Sequence, residues 1–259
     1  MELGLRDRPA LVAAASRGLG FACASALAHE GARVAICARP GEAAARAAGQ
    51  IREETGAEVV PIQADVGTAE GAKGFVLEGA EALGGCEVLV ANAGGPPPGR
   101  ATELSDQDYL QALELNFLST VRMAREALPF MRRAGYGRIV TIGSVAIREP
   151  IPGLVLSNAS RAAAAAFLKT LSREVAADAI TVNLVLPGRI LTDRIRELVR
   201  GRADTEEEGL RDYAAEVPMG RLGKPEELGA LVAFLASERA AYITGSAIQV
   251  DGGLIRGLQ

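Results

Sequence analysis

Short apolar runs alternate with stretches of helical periodicity from one end of the chain to the other. The runs at 9–15, 33–38, 59–63, 86–91, 138–142, 181–186 and 247–250 are apolar on both faces rather than on alternate residues. That pattern predicts about seven buried strands. Helical spacing of apolar residues over 19–30, 42–54, 106–133, 158–177 and 225–236 predicts the helices between them. Strands buried on both faces and separated by helices imply parallel β-α-β units, with helices covering both sides of one sheet. Right-handed crossovers then give a doubly wound α/β sheet.

Composition fits this picture. The chain has 259 residues, 49% hydrophobic and 23% charged, with only 4% aromatic and no tryptophan. Its core must therefore be built from small and aliphatic side chains. No composition break marks a linker and no repeat appears, so residues 1–259 are expected to form one domain. The net charge of −4, with Arg and Glu interspersed, argues against a nucleic-acid partner. Cys23, Cys37 and Cys86 have neither metal-ligand nor disulfide spacing, and read as buried, reduced thiols of a cytoplasmic protein. No apolar run approaches membrane-spanning length, and residues 1–8 are too charged for a signal peptide. The lone histidine, His29, falls late in the first helix and reads as a helix-end residue, which leaves little room for histidine catalysis.

The least regular region, 192–221, is charged and lies between two core strands. It has two readings: a helical insertion that covers the carboxyl ends of the strands as a lid, or a solvated excursion. More specific is Ala13-Ala14-Ala15-Ser16-Arg17-Gly18-Leu19-Gly20, directly after the first strand. A glycine-rich strand-to-helix turn lets backbone N–H groups approach a pyrophosphate closely. The second strand ends Cys37-Ala38-Arg39, without the carboxylate that would hold a ribose 2′-hydroxyl. Arg39 and Arg17 instead suit a 2′-phosphate, favouring NADP(H) over NAD(H), unless both simply face solvent.

The chain resembles the short-chain dehydrogenase/reductase family along essentially its whole length. The resemblance is carried by ALVAAASRGLG (10–20), ADV (64–66), NAG (92–94), LELNF (113–117) and RIVTIGS (138–144). It continues through ITVNLVLPGRILTD (180–193), GKPEELGALVAFLAS (223–237) and ITGSAIQVDGG (243–253). The branch it looks most like is that of bacterial 3-oxoacyl-carrier-protein reductases and related NADP-dependent ketoreductases. The resemblance implies a Rossmann domain and an oxidoreductase acting on a small carbonyl or alcohol substrate. It places Ala14, Ser16, Arg17, Gly18, Leu19 and Gly20 at the cofactor phosphates, and Asp65 and Val66 at the adenine. Asn92, Ala93 and Gly94 would lie along the middle of the cofactor, and Pro187, Gly188, Ile190 and Thr192 at its nicotinamide end. It further implies that Asn116 holds a proton-relay water and that Ser144 orients the substrate. In the family the helix carrying 162–166 packs against a neighbouring subunit, so a homo-oligomer, a tetramer, is expected.

Two positions depart from the family pattern. Thirteen residues beyond Ser144, where the family carries a tyrosine with a lysine four residues later, stand Ser157 and Arg161. None of Tyr109, Tyr136, Tyr213 and Tyr242 precedes a lysine by four. Serine is far less acidic than a phenol of pKa about 10, and arginine keeps its proton near neutrality. Ala14 is the second departure, an added methyl where the family motif has glycine. Three functions follow: an NADP(H)-dependent oxidoreductase with an atypical proton path through Ser144, Ser157, Arg161 and Asn116; a catalytically silent nucleotide-binding sensor or partner subunit; or a non-redox dehydration or isomerisation, for which Glu149 is the one nearby carboxylate. A simpler alternative makes Ser157 or Asn158 the cap of the following helix.

Overall fold

The computed structural model describes residues 2–200 and 203–257. Seven parallel strands form one sheet: β1 (Pro9–Val12), β2 (Arg33–Ala38), β3 (Val59–Gln63), β4 (Val88–Ala91), β5 (Gly137–Ile142), β6 (Ile180–Pro187) and β7 (Ala247–Val250). Their order is β3-β2-β1-β4-β5-β6-β7, with parallel pairing throughout. The order reverses direction between β1 and β4, and in such sheets a crevice opens there, outside the carboxyl ends of the strands.

Helices cover both faces. On one side α1 (Gly18–His29), α2 (Gly41–Thr55) and α9 (Pro225–Ala236) enclose a cluster that includes Leu27, Ile36, Ile51 and Val232. On the other, α3 (Ala69–Leu83), α5 (Ser119–Ala134) and α6 (Val155–Glu174) enclose Leu11, Phe75, Met123, Ile139 and Leu168. Side chains buried this completely each contribute about 1.5–3 kcal/mol. Small residues let the layers approach closely. A Cβ on Gly229 of α9 would stand 2.6 Å from the Ala22 carbonyl oxygen of α1. Among the described residues no helix is long and apolar enough to cross a membrane.

The structure adds to the pattern-based expectation and corrects it in places. Helix α3 was not predicted, because glycines 71, 74 and 79 lower its helix propensity. Two of them are required by packing: a Cβ at Gly71 would lie 2.1 Å from the Asp65 carbonyl oxygen, and one at Gly79 would lie 3.0 Å from Leu11. The stretch predicted as one helix over 106–133 is α4 (Asp106–Leu113) joined to α5 by a π-helical turn, Glu114–Leu118. The hydroxyls of Ser119 and Thr120 donate to the carbonyls of Leu115 and Asn116 in that wider turn, at 2.6 and 3.0 Å.

Helix α6 begins at Val155 behind an N-cap, Leu154, that offers no side-chain acceptor. Neither Ser157 nor Asn158 therefore caps it. Asn158 instead bonds both backbone groups of Ile151, which ties the preceding loop to the first turn of the helix.

Within the charged region, α7 (Asp193–Val199) and α8 (Glu206–Ala215) pack on each other through Ile195, Val199 and Tyr213. Arg189 stacks 3.8 Å from the Tyr213 ring centroid. The predicted insertion over 192–221 also includes Gly201 and Arg202, which lie outside the described residues. All three cysteines are buried and free. Burial pushes the Cys37 thiol up to about 12, and the Cys23 and Cys86 thiols up as well. His29 closes α1, with its ring Nδ1 2.9 Å from the Ser25 carbonyl oxygen.

At the amino end of the sheet, Arg8 and Arg138 stack over Tyr136 at 3.7 and 4.0 Å from its ring centroid. Arg8 is also paired with Glu87 and with Glu238, each at 2.6 Å. Arg239 donates to the Glu2 carbonyl and Glu238 N–H to that of Leu3, so the segment before β1 is strapped to the segment after α9.

Candidate cofactor crevice

A cavity of about 1280 Å³ occupies the carboxyl edge of the sheet at the point of reversal. Its floor begins with the turn after β1. Ala14 holds φ at +48° there, in the left-handed region that suits glycine. The backbone hook is fixed from two sides. Ala14 N–H points to Cys37 Sγ at 3.4 Å, Ala15 N–H donates to the Cys37 carbonyl at 2.9 Å, and Asn92 Nδ2 donates to the Ala13 and Ala14 carbonyls at 3.3 and 3.2 Å.

Beyond the hook, Gly18 also takes positive φ. A Cβ on Gly20 would stand 2.5 Å from the Ala14 carbonyl oxygen and 2.8 Å from Asn92 Nδ2. The Arg17 side chain does not cap α1, so no side chain covers the first-turn N–H groups of that helix. Such a terminus is a ready anion site. The residues therefore fit a dinucleotide pyrophosphate.

Every cofactor residue expected from the sequence lines this one cavity: Ala14, Ser16, Arg17, Gly18, Leu19 and Gly20 of the loop, Arg39 after β2, Asp65 and Val66 after β3, Asn92, Ala93 and Gly94 after β4, and Pro187, Gly188, Ile190 and Thr192 after β6. Arg39 is exposed at the rim, and Arg46 of α2 lines the same cavity. Arg17 faces Asp193 at 3.1 Å, both well exposed, so in this structure its guanidinium already has a partner. Exposed pairs of this kind contribute little and exchange readily.

Three of the four residues expected at the chemical step line the opposite end. The Ser144 hydroxyl accepts from Ala146 N–H at 3.1 Å. Ser157 and Arg161 share a face of α6, and Arg161 Nε donates to Ser157 Oγ at 3.2 Å while its Nη1 donates to the Ile142 carbonyl at 2.8 Å. Burial, with Arg194 as a second cationic neighbour, holds the Arg161 guanidinium down to about 10, still charged at neutral pH.

Asn116 is the exception. It is buried in the π turn, among the described residues no group partners either its Nδ2 or its Oδ1, and it follows Leu115, which does line the cavity. π turns recur at functional positions. Among the described residues no tyrosine and no lysine is part of the cavity wall. Tyr109 donates to the Ala101 carbonyl, Tyr136 donates to that of Ala236, and Tyr242 is fully exposed.

Sequence reasoning missed Arg194 and Arg46. Arg194, in the first turn of α7, donates to the buried Pro96 carbonyl at 2.8 Å across 98 residues of chain. Position in a charged run was the only signal for it, and that does not tell which way a side chain points.

A family described as Enoyl-(Acyl carrier protein) reductase matches residues 13–255. The 3-oxoacyl-acyl-carrier-protein reductase FabG of Escherichia coli K12 is 38% identical over 253 residues, covering 97% of this chain and 99% of that protein. Dehydrogenase/reductase SDR family member 4 of Oryctolagus cuniculus is 34% identical over 250 residues, covering 96% and 94%. Among solved structures, L-sorbose reductase of Gluconobacter frateurii, complexed with NADPH and L-sorbose, superposes with a TM-score of 0.95 at 35% identity, and all of both chains is covered.

Proposed function

Because the chain belongs to the short-chain dehydrogenase/reductase family of oxidoreductases, we propose that it transfers a hydride between NADP(H) and a small carbonyl or alcohol substrate through an atypical proton path. What carries the reading is the convergence of the glycine loop, the 92–94 and 187–192 segments and the Ser144–Ser157–Arg161 cluster on one cavity. The relative crystallised with NADPH supports the phosphorylated cofactor, as do the arginines at the 2′ rim and the lack of a carboxylate at the end of β2. On this reading α7 and α8 act as a lid over the nicotinamide end. The exposed Ala162 and Ala166 of α6 would allow close approach of a second subunit in a homotetramer.

When bound, NADPH supplies the hydride. The protein must then stabilise the alkoxide that forms and deliver one proton to it. Ser144 donates a hydrogen bond to the carbonyl oxygen, and the fixed positive charge of Arg161 lowers the energy of the alkoxide. Arg161 also orients the Ser157 hydroxyl, through the 3.2 Å bond to its oxygen, leaving that hydroxyl proton free to point into the crevice. Serine is too weak an acid to be the proton source. The proton comes instead from water, relayed by Ser157, with the buried Asn116 amide holding the water that supplies it. Titration of NADPH and NADH followed by a carbonyl screen tests this. NADPH is expected to bind more tightly, and Ser144→Ala to lower kcat by about 10²-fold or more. Absence of NADPH oxidation across the panel would overturn the catalytic reading.

The cavity wall without a phenol favours one second reading, a cofactor-binding subunit that does not turn over. Stoichiometric NADPH binding with no reduction of any carbonyl, and co-purification with an active relative, is its signature. Reduction at the rate of ordinary ketoreductases rules it out.

A further inference from the structure

Two guanidinium groups line the substrate end of the crevice, and among the described residues no carboxylate is hydrogen-bonded to either. Arg161 enters from α6, anchored on the Ile142 carbonyl at 2.8 Å. Arg194 enters from α7, anchored on the Pro96 carbonyl at 2.8 Å and packed over Gly95, where a Cβ would stand 3.2 Å from its Nε. Both line the same cavity.

The carboxylates of that wall are mostly committed elsewhere: Asp193 to Arg17, and Glu216 to Arg189. Glu197, which lines the same cavity, pairs with Arg194 at 3.7 Å, a separation longer than a hydrogen bond, and Glu149 is an exposed loop residue. Like charges brought together in a partly dry cleft cost free energy unless an anion separates them. Burial is the chief cause that disfavours the protonated form of Arg161, and the charge of Arg194 acts in the same direction. Each group is hydrogen-bonded to a neutral carbonyl, which fixes its position, and Arg194 has in addition only the longer contact with Glu197. A planar fork fixed in this way matches an oxyanion geometrically.

We propose that Arg194 and Arg161 form an anion clamp, so that the substrate is a small carbonyl compound carrying a carboxylate or a phosphate monoester near the reacting carbon. Arg194 is the specificity-determining member, because Arg161 also serves the chemical step. The proposal rests on the hydride-transfer reading for the reaction, but the clamp can be measured without it.

Matched pairs test it: acetoacetate against methyl acetoacetate, and dihydroxyacetone phosphate against dihydroxyacetone, each with NADPH. We expect the anionic member of at least one pair to lead by about tenfold or more in kcat/KM, mostly through KM. The pair showing it distinguishes carboxylate from phosphate. Arg194→Met is expected to lower the anionic-to-neutral ratio at least about tenfold, and Arg194→Lys to restore part of it.

In a second arm, 3-hydroxybutanoate and glycerol 3-phosphate are titrated into the NADP-saturated protein, with methyl 3-hydroxybutanoate and glycerol as controls. Anion binding lost in Arg194→Met, without turnover of any carbonyl, upholds the clamp and sinks the hydride-transfer reading. A ratio near one in the wild type, a ratio unchanged in Arg194→Met, or failure of both anions to bind overturns the clamp.

Discussion

Ala14 keeps φ at +48° because the hook it belongs to is fixed by Cys37 on one side and Asn92 on the other. A non-glycine residue in that region costs about 1–2 kcal/mol, whereas glycine costs about 0.4–1 kcal/mol through the unfolded chain. The strain term is the larger. Ala14→Gly should therefore stabilise the protein by roughly 0.5–1 kcal/mol, raising Tm by a few degrees in a thermal melt. An unchanged or lower Tm would mean that the turn adapts to the methyl. At the other end of the crevice, the Arg161–Ser157 hydrogen bond shows where a phenol and an ammonium would be placed. On the proposed reading, Ser157→Tyr combined with Arg161→Lys should raise kcat by about 10²-fold near neutral pH, because a proton donor is restored. A double variant no faster than the parent would show that water already delivers the proton efficiently. The glycine loop and the serine–arginine pair were legible as residue types at fixed spacing. Arg194 was not, because its partner Pro96 is remote in sequence and a charged run does not reveal its inward members.

The elements divide by how directly their residues record their environment. Strands buried on both faces read plainly as apolar runs, and five helices announced themselves by apolar period. Helix α3 escaped because the glycines that let it lie against Leu11 and the Asp65 backbone weaken its local signal. The π turn of Glu114–Leu118 escaped as well, since the hydroxyls that support it look like ordinary helix residues. The start of α6 was misread because serine and asparagine suggest a cap, whereas Asn158 binds the loop before it. Helix α9 offers a quantitative test. Glu227 in its first turn takes both Nη groups of Arg221, at 2.9 and 2.6 Å, and the Lys224 N–H at 2.7 Å. The side-chain hydrogen bond from Arg221 is the largest of the effects that hold its carboxyl down to about 2. A carboxylate depressed in the folded state stabilises above its unfolded value of about 4.3, and the contribution is lost as pH falls toward the folded value. The Tm difference between wild type and Glu227→Gln should thus be constant above about pH 5 and shrink between about pH 4.5 and 2. A difference that does not vary with pH would show the pair to be energetically silent.

Over the whole molecule, the sheet separates the edge that holds the crevice from the edge that holds the Arg–Tyr–Arg stack. The crevice lies at the carboxyl ends of the strands, while Arg8, Tyr136 and Arg138 lock the amino ends. Removing the ring between the two guanidiniums should destabilise the fold by about 2–4 kcal/mol. Tyr136→Ala should accordingly lower Tm by several degrees while leaving the NADPH dissociation constant of the folded protein within about twofold. A parallel loss of affinity would show that the two edges are coupled. The architecture was readable in outline from alternation alone, but the strap that joins residues 2–8 to residues 238–239 was not, since nothing local in either segment names the other. That strap bears on biosynthesis. A chain emerging from the ribosome can pair β1 with β2 and β4 early, yet the strap on the segment before β1 closes only once Glu238 and Arg239 have been made. The wall of the crevice at 187–194 is made only after β1 to β5, so a nascent chain should acquire nucleotide affinity abruptly, once that wall is in place, instead of by degrees.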